Sequence, residues 1–297
     1  MTIQDVNIVI SDPAGAPKDH SGEAAVTIDV ADGAKANVTL DGVKIDVGGT
    51  GGVDKAAGKV VDGEVAVQIT GNGDVTLELD GKNTLQGGYH CAGVEKNTTD
   101  DTGKGKLTIT DETGTAGSLK ATGGEYGAGI GGGAYGSGSE ITISGTAEVT
   151  AKGGNYGSGI GGGFKCSGSN ITISQDAQVK AQGGKSGKSN SNPEVVYGAG
   201  AAIGNGGKSG YSNSRNLNGA EVTPNTDELT PYGKIEYYAP GANMETDAPI
   251  KTVTGTYVPP RDEEKPPVDE EKPDQPAQSA EESAAEAVYT APPLPGR

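Results

Sequence analysis

A thirty-residue beat limits what this chain can fold into. Across residues 107–184 three phrases recur in fixed order. A short alternating segment comes first: LTIT at 107–110, then ITIS at 141–144 and 171–174. A second follows as SLKATGG at 118–124, AEVTAKGG at 147–154 and AQVKAQGG at 177–184. A glycine phrase closes the unit, YGAGIGGG at 126–133 and YGSGIGGG at 156–163. Leu119, Val149 and Val179 fall on one beat, as do Ile130 with Ile160 and Ile141 with Ile171. A fixed period of this length marks stacked units, each too small to bury its own apolar face.

The unit reads as strand. Isoleucine alternates with Thr and Ser, the two-residue period of a strand. A helix through GAGIGGG would lose about 1 kcal/mol per glycine. Three short strands per unit, returning to the same place, predict an all-β chain built as a single-stranded parallel β-helix, a solenoid with inward Ile, Leu and Val stacked in columns. The composition agrees. With 52 Gly, no Trp and one Phe, the chain lacks bulk for a thick core but suffices for a narrow one. Glycine supplies tight corners and close backbone approach.

Outside the regular units the pattern loosens. TIQDVNIVI at 2–10, AAVTIDV at 24–30, NVTLDGVKIDV at 37–47, VAVQIT at 65–70 and VTLELDG at 75–81 read as strands. VTLDG and VTLELDG are read as one position in successive turns, and Gly93-Val94 as the forerunner of Gly129-Ile130. SGKSNSNPEVV at 186–196 is a loop pushed out of the third unit. The predicted organisation is therefore 1–220 as the β-helix, with regular coils at about 107–207, and 221–260 as a cap or hairpin containing KIEYYAP and IKTVT. Residues 261–297, rich in Glu, Asp and Pro, are predicted to be a disordered acidic linker or tail.

The net charge of −17 makes nucleic acid and anionic membranes poor partners. No apolar run of 18 residues exists, so no membrane insertion is expected, and residues 1–20 do not read as a signal peptide. Cys91 and Cys166 fall at different positions of different units, which argues against a bridge, and neither has metal-ligand spacing.

The series GGYHCAGVE, LTIT…SLKATGG, YGAGIGGG…GSEITIS and AEVTAKGGNYGSGIGGG…GSNITIS resembles bacterial cell-surface and secreted carbohydrate-binding repeat proteins, whose relatives adopt a right-handed parallel β-helix similar to pectate lyases. The resemblance covers roughly residues 60–207. It implies an extracellular or cell-surface location, polysaccharide as partner, acidic plant polymers among the candidates, and calcium as a candidate ion. It brings no site signature that maps residue by residue.

Candidate sites come from the residues themselves. Tyr126, Tyr156 and Tyr197 each stand directly before a glycine phrase; Tyr135 and Phe164 follow one at nearly equal offset, and Tyr89 is one residue out of register. On successive units these would form an aromatic row. Such a row either stacks on sugar rings or zips neighbouring units together. The adjacent Asp100 and Asp101 are candidate calcium ligands, and Asp41, Asp46, Asp54, Asp62, Asp74 and Asp80 enrich the N-terminal part in carboxylate. Thr108 and Thr110, Thr142 and Ser144, Thr172 and Ser174 are expected as an outward hydroxyl row. Serine interrupts it, so it suits a solvated strand face better than an ice-binding array. NTTDD at 97–101 and NTDE at 225–228 echo glycosidase carboxylates without the accompanying histidine and basic strings. The expectation is a non-catalytic carbohydrate-binding module or adhesin; the alternatives are a structural stalk of a larger surface protein, or a pectin-degrading enzyme.

Overall fold

A computed structural model describes residues 1–4, 7–12, 18–99, 103–112, 116–189 and 192–258. Asp100, Asp101 and the acidic segment 261–297 lie outside the described residues. Met1–Pro259 forms one compact unit.

The described chain is all-β, without a helix, and its three large sheets are almost wholly parallel. Sheet A holds, in spatial order, Thr2–Gln4, Lys35–Asp41, Asp74–Asp80, Leu107–Thr110, Gly138–Ile143 and Gly168–Ile173. Sheet B holds Asn7–Ser11, Lys44–Gly49, Lys82–Gln86, Ser118–Thr122, Glu148–Lys152, Gln178–Gln182, Lys234–Tyr238 and Lys251–Thr254. Sheet C holds Ala24–Val30, Val65–Gly71, Val94–Glu95, Ile130–Gly131, Ile160–Gly161 and Ile203–Gly204. From residue 2 to 204 the chain supplies the sheets in strict rotation, A then B then C. An antiparallel hairpin, Gly52–Asp54 with Lys59–Val61, interrupts one passage, and a small antiparallel sheet of Gly187–Lys188, Val195–Tyr197 and Ser209–Tyr211 interrupts another.

The sequence beat is the strand register. Leu119 pairs with Val149 and Val149 with Val179; Ile130 pairs with Ile160 and Ile141 with Ile171. Val94 pairs with Ile130, and Leu40-Asp41 with Leu79-Asp80. Parallel in-register pairing sets identical side chains about 4.8 Å apart, so they pile into columns. One cluster of buried aliphatics draws on all three sheets; Leu107, Ile130, Ile141 and Ile160 are fully buried within it.

Three expectations needed revision. NVTLDGVKIDV is not one strand: Gly42, at φ 64°, turns the chain from sheet A into sheet B, and Gly81, at φ 60°, does the same one passage later. Left-handed backbone here favours glycine because it carries no Cβ. TIQDVNIVI likewise divides between sheets A and B. The expected outward hydroxyl row divides: Thr108, Thr142 and Thr172 pair in register along sheet A, whereas Thr110, Ser144 and Ser174 are drawn in at the strand ends. Thr110, Thr142, Ser144 and Ser174 are buried, and the Ser144 hydroxyl donates to Thr110 Oγ1 at 3.2 Å. Thr110, Ser144 and Ser174 sit at the turn out of sheet A, where buried backbone needs polar partners. At the far end Lys234–Tyr238 extends sheet B in parallel, and Lys251–Thr254 pairs with it antiparallel.

Candidate functional site at the aromatic cluster

The glycine phrases build a turn that leads each unit into and out of sheet C. Within it Tyr126 and Tyr156 adopt φ of 75° and 71°. His90 occupies the same position one unit earlier, with φ 71°. Past the phrase, Tyr135 and Lys165 share a second left-handed position, with φ of 62° and 66°. Such backbone is costly for a residue with a Cβ and persists only where neighbours hold it. Here the inter-unit ladder does so. His90 N donates to Glu125 O at 2.9 Å, Tyr126 N to Asn155 O at 2.8 Å and Tyr156 N to Lys185 O at 3.1 Å.

The aromatic residues singled out in the sequence do come together, Tyr89 among them at 5.7 Å from Tyr126. Ring centroids lie 5.0 Å apart for Tyr126 and Tyr156, 4.9 Å for Tyr156 and Tyr197, and 5.3 Å for Phe164 and Tyr197. Tyr135 meets Phe164 at 5.8 Å, and Tyr126 meets Phe164 at 5.1 Å. Most contacts are edge-to-face, the arrangement the ring quadrupoles favour. The cluster is layered rather than a flat row. Phe164 is 2% exposed and Tyr156 6%, so both form the floor; Tyr126 and Tyr197 are half-buried, and Tyr135 is 61% exposed.

Tyr197 reaches the cluster by another route. Ile203 pairs with Ile160, which puts Ala199, not Tyr197, at the register of Tyr156. Tyr197 comes instead from the small antiparallel sheet. One ring escaped the sequence reading: His90, stacked on Tyr89 at 4.3 Å and 5.0 Å from Tyr126. Matching Gly93-Val94 to Gly129-Ile130 would have placed His90 at the Tyr126 register. Lys165 Nζ lies 5.1 Å from the Phe164 ring and 5.7 Å from Tyr135, within cation–π reach of both. Tyr89, Tyr135, Lys165, Tyr197, Val60 and Val195 line an open groove of about 420 Å³.

A second groove of about 460 Å³ adjoins it, sharing Val60, His90 and Tyr135. Asp62, Gln68, Glu95 and Asn97 supply its polar groups. Asp62 Oδ1 and His90 Nδ1 are 2.6 Å apart. Burial lowers the His90 pKa despite that carboxylate. Glu95, only 6% exposed, accepts from Ala92 N at 3.0 Å and from Asn97 Nδ2 at 2.8 Å. Burial outweighs both bonds and lifts its pKa to about 7. Glu95 pairs in register with Gly131, so the carboxyl replaces what is glycine in the next unit. Near neutral pH it can donate to, or accept from, a hydroxyl in the groove.

The other carboxylates mostly serve turns. Asp46 Oδ1 accepts from Gly48 N, Asp54 Oδ1 from Ala56 N and Ala57 N, and Asp74 Oδ1 from Lys106 N. Of the described residues, His20, Glu23 and Glu64 approach one another closely enough to share an ion. Both ring nitrogens of His20 already face carboxylates, Nδ1 to Glu23 at 2.7 Å and Nε2 to Asp12 at 3.1 Å. This group reads as a loop-tying hydrogen-bond set. The candidate calcium ligands Asp100 and Asp101 fall outside the described residues. No helix of the described residues is long and apolar enough to cross a membrane. No protein-family model matches the chain, and no curated protein or solved structure is significantly similar to it.

Proposed function

We propose that this chain is a non-catalytic, extracellular carbohydrate-binding module in which sheets A, B and C form one right-handed parallel β-helix. Strict rotation through three parallel sheets around one aliphatic cluster supports the helical reading. One observation carries the binding reading: the Tyr135 ring stands 61% exposed over packed rings, beside Lys165 and a groove lined by Asp62, Gln68 and Asn97. A flat aromatic face with hydrogen-bonding groups at its edge suits a pyranose ring. Tyr156 and Phe164 then act as support, holding Tyr135, Tyr126 and Tyr197 in place.

Calorimetry against a panel of neutral and acidic polysaccharides, run in parallel with calcium and with EDTA, tests this. Tyr135→Ala should weaken the responding glycan at least tenfold, about 1.4 kcal/mol, without changing the far-UV circular dichroism. No glycan response, or an unaffected Tyr135→Ala, removes the assignment.

The burial of Tyr156 and Phe164 favours one rival reading, a structural stalk in which the rings only zip neighbouring units. That reading gains if Tyr156→Ala lowers Tm sharply while the panel stays silent.

A further inference from the structure

The outer face of sheet B differs from the rest of the molecule. Its inward residues are core, among them Leu119, Ala121, Val149, Ala151, Val179 and Ala181. Outward it carries Lys44, Lys82, Lys120, Lys152, Lys180 and Lys234, against only Asp46, Glu148 and Glu236. The chain as a whole bears a net charge of −17. Sheet A, by contrast, presents Asp41, Glu78 and Asp80 beside threonines. Lysine therefore outnumbers carboxylate on one face of an acidic protein. Of these lysines only Lys234 has a carboxylate within ion-pair distance among the described residues, Glu236 at 2.9 Å.

The lysines are also spaced. One outward column reads Lys44, Thr84, Lys120, Thr150, Lys180 and ends on Glu236. Like charges directly opposite on neighbouring strands repel; threonine between them sets the ammonium groups about 10 Å apart. The face is shaped as well. Two open troughs, of about 460 and 530 Å³, overlap at Lys120, Thr150 and Lys180; Glu148 and Glu236 line the first and Glu245 the second, outnumbered by lysine in each. Segment 241–245 walls one of them, tied down by Gln182 Nε2, which donates to Ala239 O at 2.7 Å and Ala242 O at 2.8 Å. From Lys82–Gln86 to Lys234–Tyr238 the trough crosses four strand spacings, about 20 Å.

We infer that this trough binds a linear acidic polysaccharide, its carboxylates or sulfates facing the lysines and its hydroxyls facing Thr84 and Thr150. The spacing argues against nucleic acid. Duplex DNA carries one charge per about 1.7 Å, far denser than lysines about 10 Å apart. The site lies on a different sheet from the tyrosine groove and does not depend on it.

The test uses the full chain with polygalacturonate, dextran sulfate, unmodified dextran and duplex DNA as probes in affinity electrophoresis at low salt. At least one acidic glycan should retard the protein, dextran should not, and added salt should weaken the retardation. Which of the two retards it separates uronate from sulfate ester. Lys120→Glu with Lys180→Glu should weaken retardation at least tenfold. The exposed pair Lys35→Glu with Lys106→Glu, at sheet A, changes the net charge equally and should weaken it far less. Tyr135→Ala should leave it unchanged. The inference is overturned if neither acidic glycan binds, if the two double variants behave alike, or if DNA binds more tightly than both glycans. Circular dichroism and Tm of each variant confirm that the fold persists.

Discussion

Two buried polar residues show how single side chains depart from the repeat. Asn83 stands in the column of Leu119, Val149 and Val179 and is 2% exposed. Its Oδ1 accepts from Val43 N at 2.9 Å, and its Nδ2 donates to Leu40 O and Asp80 O. It thus satisfies backbone freed at the Gly42 and Gly81 corners. Glu95 is the other case. Its pKa of about 7 in the folded chain stands above an ordinary 4.5. Below 4.5 both folded and unfolded states hold the proton, and nothing is lost. Between 4.5 and 7 the unfolded chain releases it while the folded chain resists, so stability falls as pH rises through that window. Glu95→Gln should therefore be more stable than the parent at pH 8, by roughly 2 kcal/mol, with no gain at pH 4. Urea melts at the two pH values check this; an equal effect at both would show that Glu95 does not titrate between them.

At the scale of elements, the glycine phrase is a ladder of close backbone approaches. A Cβ on Gly154 would stand 1.8 Å from Gly124 O, and one on Gly184 would stand 1.7 Å from Gly154 O. The units cannot separate to make room, because strands on both sides hold them at sheet spacing. Gly154→Ala should cost about 3 kcal/mol or more through overpacking. Gly33→Ala meets nothing within 4 Å and should cost about 1 kcal/mol, from its φ of 71° alone. Thermal melts of the two variants decide it; equal losses would mean that conformation, not proximity, fixes these glycines. Residues 107–184 were legible because each unit repeats its strands and turns almost verbatim. The N-terminal passages were less so: corners at Gly42 and Gly81 lie inside runs that alternate without a break, and alternation does not report a change of sheet.

For the whole molecule, stability rests on parallel pairing and a narrow aliphatic core, without a covalent bridge. Cys91 and Cys166 are both free. Burial pushes both thiols above their ordinary pKa, and Cys91 Sγ donates to Gly63 O at 3.2 Å. Tm should be the same with and without reductant. Ellman's reagent at pH 8 should react slowly with the folded chain and with both thiols in urea. A Tm that drops on reduction would contradict this. By itself the sequence determined the strands, their parallel register across the regular units and the residues that line the core, because in-register stacking forces a period in space to equal a period along the chain. Only the tertiary structure decided which rings are floor and which are surface, that Tyr197 arrives from an antiparallel insertion, and that lysines far apart in sequence share one face. Those facts depend on how the turns and insertions fold back against the sheets, and no local pattern of residues encodes that.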